Sequence, residues 1–367
     1  MSRSKTKVGI IGCGNISSVY FENMKKFDIL DVAACADINN QAAEKRAKEF
    51  NVNVCGVQEL LANKEIKIVV NLTIPAAHYE IALSALNAGK SVYNEKPLAI
   101  TVEDGQKILE IAKLKNLLVG CAPDTFFGPA HQTCRKIIDD GIIGEPIAAT
   151  AFMMCHGHES WHPNPDFYYQ IGGGPMFDMG PYYLTALINL IGPVKRVTGT
   201  TRITFPERII TSKPKEGTII KVNTPTHIAG IMDFVNGAIG TIITSFDVWA
   251  SVLPNMEVYG TKGTMSVPDP NCYDGPVRIK LSDENEWKEI PLTHSYTGNR
   301  GIGVADMANA LYSGRVNRTN GELAYHVLDI IHAFHKASKE NKHIILKSSC
   351  KQPSPLPLGL KDFTVDE

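Results

Sequence analysis

The chain has 367 residues, of which 44% are hydrophobic, and its 37 lysines and arginines nearly balance 38 aspartates and glutamates. This composition predicts a globular protein of about two domains, and its near-neutral charge gives no reason to expect a nucleic acid or a membrane surface as a partner. The N-terminal MSRSKTK has no apolar signal segment, no later stretch is long enough to span a bilayer, and the scattered cysteines form no C-x-x-C pair. We therefore expect reduced thiols and a cytoplasmic protein.

Strand and helix patterns alternate through the first third of the chain. In order, they predict a strand at 8–11, a helix at 17–26, a strand at 32–36, a helix at 40–50, a strand at 66–72, a helix at 76–88, a strand at 91–93, a helix at 102–115 and a strand at 117–120. This alternation is typical of an α/β protein with a doubly wound parallel sheet. We assign the first domain, residues 1–122, to that fold.

A glycine-rich turn follows the first predicted strand. Gly12 and Gly14 let the backbone approach a pyrophosphate closely, and the next helix offers free N–H groups and the positive end of its dipole. Ser17 stands where such turns usually have a third glycine, and it is small enough for close packing. The residues expected at the pyrophosphate are Gly12, Gly14, Asn15 and Ile16. This pattern predicts a Rossmann dinucleotide site.

Asp37 ends the second predicted strand, about 20 residues beyond the glycines, where the dinucleotide fingerprint places an acidic residue. Its carboxylate would accept hydrogen bonds from the adenosine ribose and repel a 2′-phosphate. The sequence therefore predicts NAD as the cofactor in preference to NADP.

The composition changes after Cys121. Glycine, proline and aromatic residues are frequent over 123–181, and β-type alternation follows over 194–292, with Asn236-Gly237 as a two-residue hairpin signal. Helical patterns at 303–313 and 321–339 close the chain. We predict a second, substrate-binding domain, residues 123–367, of α+β type with a large, mainly antiparallel sheet.

Five motifs in both predicted domains are similar to those of the Gfo/Idh/MocA oxidoreductases, the family of glucose–fructose oxidoreductase and inositol dehydrogenase. They are GIIGCGNIS at 9–17, NLTIPAAH at 71–78, AGKSVYNEKPLA at 88–99, DDGIIGEP at 139–146 and GGGPMFDMG at 172–180. The resemblance implies NAD(P)-dependent oxidation of CH–OH groups. It also implies that family members associate through the exposed face of the second-domain sheet, so we expect a homo-oligomer.

The resemblance places Lys96, in the motif Glu95-Lys96-Pro97, beside the nicotinamide and the reacting hydroxyl. A lysine there can take the hydroxyl proton as the hydride leaves. Without the motif, the alternative interpretation is a surface lysine that follows a strand. Glu95 would bind the nicotinamide ribose or orient the lysine, and Pro97 would fix the turn through a cis bond. The remaining cofactor-binding residues expected from the family pattern are Thr73, Pro75 and His78.

The second catalytic segment contains Asp178 and Tyr182. Most of the family has Asp-x-Gly-x-His here, followed by another aspartate, and this chain has Tyr182 and Thr185 at those two positions. Tyrosine also occurs there in glucose–fructose oxidoreductase and dihydrodiol dehydrogenases, where it is assigned as acid or base. We predict that Tyr182 exchanges the proton and that Asp178 orients substrate, the alternative being a helix cap and a core tyrosine.

The segment His158-Glu159-Ser160-Trp161-His162 matches the zinc-protease pattern H-E-x-x-H. That chemistry needs both histidines on one helical face, and Gly157, Pro163 and Pro165 argue against a helix here. We therefore expect no metal site and predict a substrate loop, with surface histidines as the alternative. The substrate-binding residues expected in addition to Lys96, Asp178 and Tyr182 are Asp124, His156, His158, Trp161, His162 and Arg300.

The predicted function is NAD-dependent oxidation of a secondary hydroxyl of a pyranose or glycoside, a small-molecule substrate. The histidine-rich loop and the tyrosine variant resemble enzymes that oxidise the glucosyl 3-hydroxyl of glycosides to the 3-ketone. The alternatives are an NAD-dependent glycosidase acting through transient oxidation, a keto-sugar reductase or diol dehydrogenase, and a non-catalytic NAD-binding regulator.

Overall fold

The computed structural model describes residues 5–296 and 298–366, which form two compact units. The first unit comprises Met1–Gln132, Thr293–Leu328 and Pro353–Glu367, and the second comprises Thr133–Leu292 and Asp329–Gln352. The first four residues of the N-terminal segment MSRSKTK lie outside the described residues.

The first unit contains a six-stranded parallel sheet with the strand order β3-β2-β1-β4-β5-β6. Its elements in chain order are β1 (Thr6–Ile11), α1 (Ser17–Met24), β2 (Leu30–Ala36), α2 (Asn40–Phe50), β3 (Asn53–Val54), α3 (Val57–Ala62), β4 (Ile68–Asn71), α4 (His78–Asn87), β5 (Ser91–Asn94), α5 (Val102–Lys115) and β6 (Val119–Cys121). The doubly wound parallel sheet predicted from the alternating pattern is confirmed. The central strands are buried on both faces, which explains their continuous apolar sequences.

The second unit is built on a nine-stranded mixed sheet with the order β16-β15-β14-β13-β7-β12-β11-β8-β17. The remaining elements of the chain are α6 (Pro129–Asp139), β7 (Pro146–Met154), α7 (Gly174–Asp178), α8 (Gly180–Ile191), β8 (Val194–Arg202), β9 (Glu207–Ile209), β10 (Ile219–Lys221), β11 (His227–Phe234), β12 (Ile239–Ser245), β13 (Met256–Gly260), β14 (Gly263–Val267), β15 (Val277–Leu281), β16 (Lys288–Ile290), α9 (Ile302–Ser313), α10 (Gly321–Glu340) and β17 (Ile344–Ile345). The predicted, mainly antiparallel sheet is confirmed, with β7 and β12 as its parallel pair. Strands β11 and β12 pair around the Asn236-Gly237 turn, as expected.

Helix α8 was not predicted as a separate element, because every residue from Gly180 to Ile191 is buried. A helix that is buried all round has no apolar stripe with a period of 3.6 residues. Among the described residues, no helix combines the length and the apolar character needed to cross a membrane.

The first unit takes in two segments that the sequence analysis assigned to the second domain, 293–328 and 353–367. Cys121, at the end of β6, donates its backbone N–H to the carbonyl of Thr319 at 2.9 Å. The carboxylate of Asp306 on α9 is fully buried and accepts hydrogen bonds from the Arg318 backbone at 2.6 Å and the Arg315 guanidinium at 2.7 Å. Both arginines also pair with Asp366. These long-range bonds have no local sequence signal.

Candidate active site

The turn after β1 has the backbone that a pyrophosphate site needs. Gly12 has a φ of +102°, and a Cβ at this position would lie 2.5 Å from the carbonyl carbon of Leu72, so the position requires glycine. A Cβ on Gly14 would meet nothing within 4 Å among the described residues, which leaves the outer side of the turn open. Asn15 is exposed and Ile16 half-buried. Within the described chain no side chain caps α1, and although the Ser17 N–H donates to the Gly14 carbonyl at 3.2 Å, the positive end of the helix dipole faces the turn and favours an anion there.

Asp37, just after β2, is bonded to the same turn. Its Oδ2 accepts the backbone N–H of Cys13 at 2.6 Å, and its Oδ1 accepts that of Asn39 at 2.7 Å. A carboxylate has further lone pairs, and this one is only half-buried, so it retains capacity for ribose hydroxyls. The geometry fits NAD, whereas the 2′-phosphate of NADP would meet a negative charge here.

Arg46 on α2 is a residue of this turn that the sequence analysis missed. Its Nε donates to Ser17 Oγ at 3.1 Å, and its Nη2 donates to the carbonyl of Gly14 at 3.3 Å. Ser17 is fully buried, in keeping with the close packing expected of a residue in the third glycine's place. Arg46 lies 32 positions from Gly14, so no local pattern could have indicated this contact.

Two exposed isoleucines were also missed. Ile38, after β2, is 101% exposed, and Ile74, after β4, is 68% exposed. Strands β2 and β4 both pair with β1, so these side chains lie at the ends of the strands on either side of the glycine turn. Exposed apolar side chains at this edge would suit the flat, apolar faces of adenine.

The loop after β4 holds Thr73, Pro75 and His78. Thr73 and Pro75 are half-buried, and Thr73 Oγ1 donates to Asn71 Oδ1 at 2.6 Å. His78 is fully buried, with its ring nitrogens 2.7 Å from the carbonyl oxygen of Pro97 and 3.0 Å from that of Thr73. Burial lowers the pKa of His78. The ring therefore ties the loop after β4 to the Glu95-Lys96-Pro97 turn.

The Glu95-Lys96-Pro97 turn is fixed by hydrogen bonds below it. Glu95 is buried, and its two carboxylate oxygens accept hydrogen bonds from the Tyr20 hydroxyl at 2.8 Å and from the Lys96 backbone at 3.0 Å. The Lys96–Pro97 peptide bond is cis, as predicted, and the Lys96 side chain is half-buried. Of the two roles considered for Glu95, this geometry supports the orientation of Lys96.

Asp124 and Arg300, both expected to reach substrate, occupy different environments. Asp124 is fully buried, and its Oδ2 accepts the backbone N–H groups of Gly301 at 2.9 Å and Gly303 at 3.0 Å. It thus caps the N-terminus of α9, a role the sequence analysis did not predict, and substrate binding by Asp124 has no support from this geometry. Arg300 precedes α9 and is half-buried.

In the second unit, His158 and Asp178 form a pair. His158 Nε2 lies 3.2 Å from Asp178 Oδ2, and the two side chains are 10% and 13% exposed. Burial by itself lowers the pKa of His158, but hydrogen bonds and charges from Asp178 and Cys155 outweigh it and raise the pKa to about 9. At neutral pH the pair is an imidazolium beside a carboxylate, and the Asp178 carboxylate has further lone pairs that can accept from a substrate hydroxyl.

Tyr182 lies in the first turn of α8, and Asp178 is the last residue of α7. The two short helices are separated at Met179, whose carbonyl accepts the Tyr182 backbone N–H at 3.0 Å. Tyr182 is 5% exposed. The two predicted catalytic residues of this segment, Asp178 and Tyr182, therefore lie on either side of the break between α7 and α8.

The segment 158–162 forms a turn, in which the His162 N–H donates to the His158 carbonyl at 2.9 Å. His162 Nδ1 accepts the Asn164 N–H at 3.0 Å, and burial lowers the His162 pKa. Trp161 is 62% exposed, and its ring centroid lies 5.1 Å from that of His158. An exposed aromatic ring beside a polar pair is the arrangement expected of a substrate loop.

A buried ionic cluster under this turn was missed. Arg208 Nη1 donates to Glu159 Oε1 at 2.6 Å, and Arg208 also pairs with Asp247. Tyr169 bonds to Glu159 and accepts the His158 backbone N–H at 3.1 Å. The glutamate of the apparent zinc motif is therefore a structural anchor that fixes the backbone of His158.

His156, the remaining histidine predicted to bind substrate, lies just beyond β7. It is half-buried, and its ring stacks on that of Trp249.

The strand order, the glycine turn and Asp37 define the first unit as a dinucleotide-binding Rossmann domain. Two family models match the chain: residues 6–122 match the oxidoreductase family with an NAD-binding Rossmann fold, and residues 131–266 match the GFO/IDH/MocA C-terminal domain. Together they cover well over half of the sequence. The chain belongs to the GFO/IDH/MocA oxidoreductase family, and NAD is its cofactor; the family resemblance and the choice of NAD are confirmed.

Among curated relatives, the chain is similar to an inositol 2-dehydrogenase/D-chiro-inositol 3-dehydrogenase of Lactiplantibacillus plantarum. The two are 32% identical over 147 residues, which is 39% of this chain and 42% of the relative. A myo-inositol 2-dehydrogenase of Thermotoga maritima is 21% identical over 70% of this chain and 73% of its own. The chain spans about half the length of the first curated relatives that it matches.

Solved structures share the fold. A levoglucosan dehydrogenase in complex with NADH and L-sorbose superposes with a TM-score of 0.81 at 21% identity, over 94% of this chain and 100% of that one. An NAD-binding oxidoreductase from Klebsiella pneumoniae gives the same TM-score at 19% identity and the same coverage.

Proposed function

We propose that this protein is an NAD-dependent dehydrogenase that oxidises a secondary hydroxyl of a pyranose or glycoside, in its preferred form the 3-hydroxyl of a glucosyl group. The observation that carries the proposal is the His158–Asp178 pair, with a 3.2 Å separation, beside the exposed ring of Trp161. A sugar ring presents hydroxyls at its edge and C–H groups on its faces, so it needs polar groups and an aromatic surface together. Dehydrogenases of inositol and levoglucosan among the similar proteins support the same substrate class.

The proposed reaction transfers a hydride from the substrate carbinol to the cofactor and a proton to the protein. NAD supplies the hydride acceptor. The carbinol C–H bond breaks and its electron pair leaves with the hydrogen, while the hydroxyl proton passes to a base and the C=O bond forms. We assign the proton to Lys96 and Tyr182 and the orientation of the substrate to Asp178, whose Oδ2 lies 3.2 Å from His158 Nε2.

The test is the absorbance of NADH when the purified protein and NAD are mixed with glucosides, free sugars and inositols, with the products identified by mass. Formation of NADH with loss of two hydrogen atoms from a glucoside is the expected result. Release of the aglycone without NADH would identify the NAD-dependent glycosidase instead. Absence of both signals, with consumption of NADH by a keto-sugar, would identify a reductase.

We also propose that the protein forms a homo-oligomer through the open face of the large sheet. Ile231 on β11 is 45% exposed and Ile239 on β12 is 52% exposed. These are neighbouring strands near the centre of that sheet, where exposed isoleucines favour a protein contact.

A further inference from the structure

An aromatic surface lies next to the His158–Asp178 pair and has no part in the function proposed above. It consists of His156, Phe205 and Trp249, and we call it the Trp249 surface. The rings of His156 and Trp249 are stacked, with centroids 3.3 Å apart and an interplanar angle of 14°. Phe205 meets His156 at 71°, with centroids 6.3 Å apart. Although Trp249 is stacked on one side, it remains 81% exposed, and Phe205 is 41% exposed.

The backbone beneath this surface is held by buried groups. Arg208 is 5% exposed and donates to the carbonyls of His156 at 3.4 Å and Phe246 at 2.9 Å. Its guanidinium also lies 5.0 Å from the centroid of the Phe205 ring. The Val248 N–H donates to the carbonyl of Cys155 at 3.1 Å, which brings the Trp249 loop against the end of β7. One buried cation therefore supports all three loops that supply the rings.

The same cation fixes the loop of the polar pair, because Arg208 also binds Glu159. His156 and His158 are two residues apart, so their Cα atoms lie within about 7 Å of each other. That separation is close to the width of one sugar ring. If a sugar ring binds at His158 and Asp178, the group attached to that sugar would therefore lie against the Trp249 surface.

We propose that the Trp249 surface is a second subsite, which binds the ring-shaped aglycone or second sugar of a glycoside while the first sugar is oxidised. This inference rests on the proposed dehydrogenase function and narrows its substrate class to glycosides that carry a second ring. A rigid, prearranged aromatic face binds a flat or pyranose ring without the entropic cost of ordering its own side chains. Free monosaccharides and inositols lack the group that would occupy it.

The test compares phenyl and methyl glucosides, of both anomeric configurations, as substrates of the full-length protein with NAD. In Trp249→Ala, the ratio of KM for the phenyl glucoside to KM for the methyl glucoside rises about tenfold, and Trp249→Phe retains most of the preference. The matched control is Trp287→Ala. Trp287 is 43% exposed, but it precedes the edge strand β16, which lies five strands along the sheet from β12, the strand that the Trp249 loop follows. Its removal leaves the ratio unchanged.

A second measurement separates this inference from the proposed function. Calorimetry without NAD gives the affinities of both glucosides independently of turnover. An equal loss of affinity for the two glucosides in Trp249→Ala, or no binding of the phenyl glucoside to the parent protein, overturns the inference. A change in oligomeric mass in Trp249→Ala with an unchanged affinity ratio also overturns it and makes this surface a protein interface. If the protein oxidises no sugar or polyol, but the ratio of the affinities for the two glucosides shifts as expected in Trp249→Ala, the proposed function is overturned and the inference about the Trp249 surface is not.

Discussion

Asp178 acts on His158 both as a hydrogen-bond partner and as a charge. The side chains are nearly buried, so solvent screens their interaction weakly. The native pKa of His158, about 9, lies above its ordinary value of 6.5. The interaction of the protonated ring with Asp178 therefore stabilises the fold fully below pH 6.5, and this contribution is lost as the pH rises through about 9.

Asp178→Asn keeps the shape of the pair and removes the charge. We expect the pKa of His158 to fall in this variant, because only Cys155 then opposes the effect of burial, and the pH-dependent loss of stability to begin at a lower pH. An NMR titration of the His158 ring and urea unfolding at about pH 6 and about pH 9.5 measure the two effects. A titration midpoint of His158 that is the same in the variant and the parent would contradict the pairing.

Lys96 is the residue on which the dehydrogenase proposal depends most. Lys96→Met should lower kcat by a factor of about 10² to 10⁴, the usual contribution of a general acid or base, with the affinity for NAD nearly unchanged. NADH absorbance and calorimetry provide the two measurements. The exposed Lys113 offers a control, since Lys113→Met should change neither kcat nor the affinity for NAD. A Lys96→Met protein as active as the parent would exclude the catalytic assignment.

At the scale of the elements, Asp37 links the end of β2 to the turn that opens α1. Asp37→Ala removes the acceptor of the Cys13 N–H and the predicted acceptor of the ribose hydroxyls. We expect the Kd for NAD to rise about tenfold or more and the preference for NAD over NADP to shrink. Calorimetry with both dinucleotides measures this, with Asp28→Ala as an exposed control. An unchanged ratio of the two affinities would mean that Asp37 does not select the cofactor.

The cap of α9 predicts a purely structural effect. Asp124→Ala leaves two buried backbone N–H groups without their acceptor, at Gly301 and Gly303. We expect the free energy of unfolding to fall by about 2 kcal/mol, as for a strong N-cap. Urea denaturation measures it, and the exposed Asp283→Ala should be neutral. If Asp124→Ala were as stable as the parent protein but had a raised KM, Asp124 would be a substrate-binding residue after all.

The elements differ in how far the sequence predicted them. The parallel strands and the glycine turn were predictable, because burial on both faces and a positive φ each leave a local pattern. Helix α8 was not, because it is buried on all sides and so shows no single apolar face. The roles of Arg46, Arg208 and Asp124 were also missed, since their partners lie 32, 49 and 177 positions away. Long-range bonds of this kind fix the exact placement of a site, and nothing in a sequence window reports them.

At the scale of the whole molecule, the proposed oligomer depends on the open face of the large sheet. Ile231→Lys places a charge on a side chain that is already 45% exposed, so the fold of the chain should tolerate it. We expect light scattering after gel filtration to show a smaller particle than the parent protein forms. The control is Ile209→Lys, at an exposed position on β9, which pairs with β10 in a two-stranded sheet apart from the large one. A particle mass that Ile231→Lys leaves unchanged would place the subunit contact elsewhere.

The composition of the first unit has a consequence for biosynthesis. Its sheet is encoded in the first third of the chain, but Arg315 and Arg318 of the same unit bind Asp366, near the other end. A ribosome releases the chain from the N-terminus, so the domain that begins first is completed last. Until then its β6 edge lacks the Thr319 carbonyl that receives the Cys121 N–H. A nascent chain stalled before residue 293 would therefore expose an unfinished nucleotide-binding domain, and chaperone binding should be most persistent during that interval.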